Sequence, residues 1–396
     1  MCGIVGTLAA SPVNQLLYDA LLLLQHRGQD AAGIVTMQGQ KCFMHKARGM
    51  VRDVFRTRNM RALPGNCGLG QVRYPTAGNA FSEEEAQPFY VNAPFGLVLV
   101  HNGNLTNAAA LRRELIERGS IFQSSSDSEC IIHLMARSIQ KNLSERIKDA
   151  LRRVEGAFSV VAMTRTKLIG VRDPLGVRPL VLGRLGDSGW ALSSETCGLD
   201  IIGAEFVREI EPGEMVVIEG NKIDSTRPFT PAKSRFCIFE NVYFSRPDSI
   251  IGGRSVYETR RQIGVELARE APVDADLVCP VPDSGTPAAI GFSQESGIPY
   301  AMGIIRNQYM GRTFIEPTDH IRNMGVRLKL NVNRALIKGK RVILVDDSVV
   351  RGTTSRKIKD MILEAGAAEV HFRIATAPTA RRGVGGGGAP ERSKHQ

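Results

Sequence analysis

No run of apolar residues in the chain approaches the roughly 20 that a membrane-spanning helix needs; stretches such as Leu21 to Leu24 fall far short. The N-terminus lacks a basic segment followed by an apolar stretch and a small-residue cleavage site, so no secretory signal is expected. Cysteine is sparse. Cys2, Cys42, Cys67, Cys130, Cys197, Cys237 and Cys279 form no CxxC pair, which argues against a disulfide scaffold and a zinc finger and for reduced thiols in a cytoplasm. Gly reaches 40 residues without a Gly-X-Y period, which excludes collagen. There is no RNA-binding aromatic motif and no recognition-helix pattern, so neither nucleic acid nor a membrane is expected as a partner.

What remains is an ordinary globular composition. The 396 residues are 43% hydrophobic and 23% charged, enough for two domains with sizeable cores. Lys and Arg number 51 against 40 acidic residues, a formal +11 that suits phosphorylated ligands as well as nucleic acid. Arg381, Arg382, Arg392 and Lys394, less Glu391, place part of that excess in the last stretch of chain.

Short strands with frequent turn signals run from Cys2 to about Pro228, and a helix is expected from Pro12 to about Gln25 with Ser11 as its cap. After the polar stretch around Pro228 to Ser234, strands alternate with helices: a capping box at Ser255 and Glu258, then ADLVCPVP, IPYAMGII, RVILVDDS and EVHFRIAT. Alternation of this kind builds a parallel sheet with helices on both faces. The expected division is an α+β domain over 1–230, an α/β domain over 231–379 and a disordered tail over 380–396.

Removal of Met1 would leave Cys2 with a thiol and a free α-amino group, nucleophile and base on one residue. Alone this means little. Four further segments accompany it: QHRGQD (25–30), GQVRYPT (70–76), HNGNL (101–105) and SDSE (126–129). With MCGIVG they resemble the glutamine amidotransferases of the N-terminal-nucleophile hydrolase superfamily, whose fold is an α+β sandwich. The resemblance implies Cys2 as nucleophile, Asn102 and the Gly103 amide as oxyanion hole, Arg73 on the glutamine α-carboxylate and Asp127 on its α-ammonium. His26 and His101 read as structural, Asn102-Gly103 by itself reads as a hairpin turn, and Cys42, Cys67, Cys130, Cys197 and Cys279 read as small buried apolar residues.

In the second half, VILVDDSVVRGTTS (342–355) brings two carboxylates to the end of an apolar strand, followed by hydroxyls and backbone amides at a helix start that can cradle a phosphate. The string resembles the binding motif of the type I phosphoribosyltransferases, an α/β fold. The resemblance implies phosphoribosyl diphosphate on Asp346, Asp347, Ser348, Arg351, Gly352, Thr353, Thr354 and Ser355. It also implies Arg306 and Arg312 on the diphosphate, and Mg2+ near Ser284, Asp346 and Asp347. A mobile loop is expected over 307–317, with Thr313, Phe314 and Ile315 lining an ammonia channel.

The two halves together resemble the amidophosphoribosyltransferase family, whose members make 5-phosphoribosylamine in the first step of purine synthesis. Purine nucleotides as feedback inhibitors and a homo-oligomer follow from the resemblance. Only Cys237 matches a cluster-ligand position, so no iron-sulfur cluster is expected. After EVHFRIAT the chain departs from the family pattern into ARRGVGGGGAPERSKHQ. This gives the expectation of a shortened second domain, and with it two rivals: a glutaminase with an impaired synthase site, or a non-enzymatic phosphoribosyl diphosphate sensor. A sugar-phosphate aminotransferase would lack the string from Asp346 to Ser355.

Overall fold

The computed structural model describes residues 1–75, 82–92, 96–187, 189–307, 329–349 and 352–376. They form two compact units, Met1–Ile238 with Ser249–Gly252, and Phe239–Asp248 with Gly253 onward.

The first unit holds strands β1 (Gly3–Leu8), β2 (Ala31–Gln38), β3 (Lys41–Arg48), β4 (Cys67–Arg73), β5 (Phe89–Val91), β6 (Leu97–Leu105), β7 (Gly156–Met163), β8 (Lys167–Arg172), β9 (Val181–Leu185), β10 (Gly189–Ser193), β11 (Glu205–Glu209), β12 (Met215–Glu219) and β13 (Lys222–Thr226). They build two antiparallel sheets in the orders β11-β9-β10-β1-β4-β2-β3 and β13-β12-β8-β7-β6-β5. Successive strand side chains point to opposite faces. Ile4, Val35 and Leu69 therefore meet Val98, Val100 and Val161 between the sheets, whereas Val5, Ile34 and Val72 face outward onto Leu17, Leu21 and Leu24. Those leucines belong to or follow helix α1 (Asn14–Leu23). It lies close to β4 because Gly68 and Gly70 are bare: a Cβ there would come within 2.6 Å of Leu17 and 2.8 Å of Leu21. Helices α2 (Ala108–Glu117), α3 (Asp127–Arg137) and α4 (Leu143–Leu151) cover the other sheet over Leu99, Phe158 and Val160. The α+β sandwich expected from the sequence is thus a four-layer arrangement.

Helix α1 starts later than the sequence suggests. Val13 is its N-cap, no side chain caps it, and Ser11 lies outside. The Val13 amide is taken by the Gly65 carbonyl at 3.0 Å, which holds the preceding residues in the loop. At its other end the helix tightens into a 3-10 turn over Leu24–Arg27, and a short helix α5 (Thr196–Asp200) comes later in the same unit.

The second unit has the alternating pattern. Strands β14 (Leu277–Pro280), β17 (Arg341–Asp346) and β18 (Glu369–Ile374) are parallel in the order β14-β17-β18, and β15 (Ile304–Arg306) pairs antiparallel with β16 (Leu330–Val332). Ser255 accepts from the Glu258 amide at 3.3 Å and caps α6 (Val256–Glu270). On one face Val278, Ile343 and Val345 pack with Ala268, Ala288 and Phe292, from α6 and α7 (Thr286–Ser296); on the other, Val342 and Leu344 pack with Ile358 and Ile362 of α8 (Thr353–Glu364). Helices α6 and α7 cross at backbone distance: a Cβ on Gly264 or Gly291 would sit 1.9 Å from a carbonyl of the other helix.

Candidate functional site

Each unit carries one candidate site. In the first, Cys2 precedes β1, and the β1–β4 register, Gly3 opposite Val72, brings it to the Arg73 end of β4. Cys2 is buried, its Sγ donates to the Tyr74 carbonyl at 3.7 Å, and its own carbonyl accepts from Arg27 Nε at 2.9 Å. The backbone at Gly28 passes directly over Arg73, where a Cβ would come 2.4 Å from the Arg73 carbonyl carbon.

Arg73 is buried between two acids. Its Nη1 donates to Asp30 Oδ2 at 2.6 Å, and Nη2 lies 3.7 Å from Glu85 Oε2. Glu85 is fixed by the Ser125 amide at 2.7 Å and the Ser125 hydroxyl at 2.5 Å. Asp30 belongs to the QHRGQD segment, whereas Glu85 ends a Glu83-Glu84-Glu85 run in which nothing local marks a buried partner.

Asn102 and Gly103 lie within β6, opposite Ser159 and Phe158 of β7, and so form no hairpin turn. Gly is obligatory at 103, since a Cβ would meet the Ala157 carbonyl oxygen at 2.0 Å. Asn102 has no exposed surface, and among the described residues neither its amide nitrogen nor its oxygen has a hydrogen-bond partner. That is unusual for a buried amide and leaves both atoms able to bond a ligand. The strand around it is rigidly held: Gln71 Nε2 donates to the His101 carbonyl at 2.9 Å, and the His101 amide donates to Gln87 Oε1 at 2.7 Å. The His101 ring sits 2.8 Å from the Ser128 hydroxyl, and burial pushes its pKa down against the pull of Asp127. Asp127 opens α3 and accepts from the Leu105 amide at 2.8 Å, which ties it to the end of the same strand.

In the second unit β17 delivers Asp346 and Asp347, both buried. Asp347 accepts from the hydroxyls of Ser284 and Ser348, each at 2.8 Å, and its carbonyl accepts from Thr376 at 2.9 Å. Gly285 lets the Ser284 loop lie against β17, where a Cβ would be 2.3 Å from the Val345 carbonyl. Gly352, with φ of 71°, is the N-cap of α8, so Thr353, Thr354 and Ser355 form its first turn. Arg306 ends β15 and pairs with Asp283. Arg312 and Arg351 lie outside the described residues, as do Thr313, Phe314 and Ile315 and the expected loop beyond Asn307.

Burial, then the adjacent Asp347, pushes the Asp346 carboxyl up to about 8. Such a pair suits a divalent cation. Among the described residues no three His, Cys, Asp or Glu side chains converge as a complete metal cage. Two carboxylates and a hydroxyl form an all-oxygen, partial donor set of the kind hard cations accept.

Of the cysteines read as buried, Cys67, Cys130, Cys197 and Cys279 are so, whereas Cys42 on β3 is half-buried. None of the seven cysteines forms a disulfide.

Residues 78–200 match the family described as a glutamine amidotransferase domain. An amidophosphoribosyltransferase of Rhizobium etli is 52% identical over 95% of this chain and 77% of its own length. The chain belongs to the amidophosphoribosyltransferase family. A member from Bacillus subtilis is 45% identical over 96% of this chain and 80% of its own length. The solved structure of glutamine phosphoribosylpyrophosphate amidotransferase from B. subtilis, complexed with ADP and GMP, superposes with a TM-score of 0.90 at 44% identity, covering 96% of this chain and 83% of that one. The amidophosphoribosyltransferase fold, a nucleophile-hydrolase sandwich followed by a phosphoribosyltransferase unit, is therefore the fold described above.

Proposed function

We propose that the chain hydrolyses glutamine at Cys2 and uses the ammonia to convert phosphoribosyl diphosphate to 5-phosphoribosylamine and pyrophosphate. The observation that carries this reading is the Asn102 amide, buried and unpartnered on a strand fixed by Gln71 and Gln87, in the unit that holds Cys2 and Arg73.

With Met1 removed, the Cys2 α-amino group takes the thiol proton and the sulfur attacks the glutamine amide carbon. The Asn102 side chain and the Gly103 N–H hold the oxyanion. The proton passes to the leaving ammonia, a thioester forms on Cys2, and water releases glutamate. Arg73 holds the substrate α-carboxylate, with Asp30 and Glu85 fixing its guanidinium, and Asp127 holds the α-ammonium. His101, kept neutral by burial, orients the oxyanion strand and carries no proton in this scheme.

In the second unit, the hydroxyls and amides of Thr353, Thr354 and Ser355 at the start of α8 take the sugar 5-phosphate, and Asp346 and Asp347 the ribose hydroxyls. Arg306 faces the diphosphate. Mg2+ held by Asp346, Asp347 and Ser284 would neutralise charge on the diphosphate. Ammonia forms the new bond to C1 as the bond to pyrophosphate breaks. The B. subtilis relative is complexed with ADP and GMP, and for this chain we infer that purine nucleotides bind and inhibit.

Cys2→Ala should abolish glutamate formation while pyrophosphate release with added ammonia persists. Glutamine hydrolysis at the unaltered rate in Cys2→Ala would refute the nucleophile. Hydrolysis without ammonia-dependent pyrophosphate release would instead favour a glutaminase alone.

A further inference from the structure

Glu195 has no role in the steps above, yet it is fully buried and ionised. It stands at the N-cap of α5, but its side chain bonds none of that helix's amides. It gathers donors from separate segments instead. Oε1 accepts from His26 Nε2 at 2.7 Å and Arg27 Nη1 at 2.6 Å, and Oε2 accepts from the Ser249 hydroxyl at 2.7 Å and, more weakly, the Cys197 thiol at 3.8 Å. Burial alone would raise its pKa; the Arg27 charge and the His26 bond more than offset this and hold the carboxyl well below the usual range.

Arg27 is equally buried, and its remaining edge is turned to the nucleophile: Nε donates to the Cys2 carbonyl at 2.9 Å. A buried guanidinium–carboxylate pair is weak evidence of stabilisation, because desolvation of both ions offsets their attraction. This pair ends on Cys2, whose backbone orientation the proposed chemistry depends on. The α-amino group and thiol of Cys2 share the Cα that bears that carbonyl, so fixing the carbonyl anchors the atom from which both project. Ser249 adds a further link. Residues 239–248 belong to the second unit, and Ser249 is where the chain rejoins the first.

We propose that Glu195 is a positioning residue for glutamine hydrolysis: through Arg27 it fixes the Cys2 carbonyl, and Ser249 makes that hold depend on the segment re-entering the unit. The inference rests on Cys2 being the nucleophile.

The test uses the full chain, with kcat and KM for glutamine, the rate of Cys2 alkylation by iodoacetamide, and the unfolding midpoint. Glu195→Gln keeps the volume and removes the charge; Arg27→Lys keeps the charge but loses the planar fork that reaches both partners. Each should lower kcat about 10- to 100-fold, the range for groups that orient a reacting residue, with KM changed less than about 3-fold. Cys2 alkylation should slow with kcat. Ser249→Ala should lower kcat about 3- to 10-fold, as a bond one step further from the nucleophile. Combining Glu195→Gln with Arg27→Lys should cost no more than either alone, since both break one linkage. Unaltered kcat in Glu195→Gln overturns the proposal. If that variant does not fold, unaltered kcat in Ser249→Ala overturns it. Strictly additive losses in the double variant overturn it as well. Survival of hydrolysis in Cys2→Ala would instead show that the nucleophile reading had failed.

Discussion

Glu195 in the first unit and Asp346 in the second are both buried acids beside a candidate site, and burial has had opposite outcomes. Glu195 has Arg27 and His26 against it and stays ionised. Arg73, in the same unit, is likewise matched by Asp30 and Glu85. Asp346 has another carboxylate, Asp347, for a neighbour, and the partners found for that pair are hydroxyls and an amide. Its carboxyl is accordingly pushed up to about 8. The buried charges around Cys2 and Arg73 carry their own counter-charges. Among the described residues the Asp346–Asp347 pair has no cationic partner, an arrangement that suits a bound cation.

The contrast is broken most severely at Gly103. A Cβ there would press on the Ala157 carbonyl, a backbone atom that cannot swing aside, so Gly103→Ala should displace the oxyanion strand and eliminate glutamine hydrolysis. Next comes Asn102→Ala, which leaves the strand in place and removes one oxyanion donor. Its kcat should fall about 10²- to 10³-fold with little change in KM. In both variants ammonia-dependent pyrophosphate release should stay near that of the unaltered chain. A parallel loss in that assay would show that the two sites are not organised separately.

Much of this was legible in the chain. Short apolar runs bounded by turn signals made the strands of the first unit readable, and the Ser255 cap and the switch to strand–helix alternation made the second readable. The motif segments singled out Cys2, Arg73, Asn102 and Asp127 as candidates through the family resemblance, and in the fold Arg73 ends β4, Asp127 opens α3 and Asn102 lies within β6. The start of α1 was misjudged because Ser11-Pro12 has the chemistry of a helix start, while a tertiary hydrogen bond from Val13 to Gly65 sets the true one. Asn102-Gly103 has the composition of a turn, but its pairing with β7, more than fifty residues away, makes it a strand. Glu85, Glu195 and Ser249 could not be found at all. Each acts on a residue 40 or more positions distant, at Ser125, Arg27 and Glu195 respectively, and no local pattern records such a contact.

The smallest effect, and the most direct measure of the contrast, lies in the pH dependence of Asp346→Asn. The folded-state pKa of Asp346, about 8, stands above its ordinary value of 3.8. Between those values the folded protein retains a proton that the unfolded chain has released. The stability from this group is therefore fully present below about pH 4 and is lost as pH rises through about 8. Asparagine carries no charge to be penalised by burial. The variant should match the unaltered protein near pH 4 and exceed it increasingly toward pH 9, by on the order of 1–3 kcal/mol in the cation-free state. Thermal unfolding midpoints of the two proteins across that range measure the difference. Mg2+ with pyrophosphate should remove most of it by stabilising the ionised pair in the unaltered chain alone. A gap that stays constant with pH would mean that Asp346 is already ionised when folded, and the donor site would then be as self-sufficient as the glutamine site.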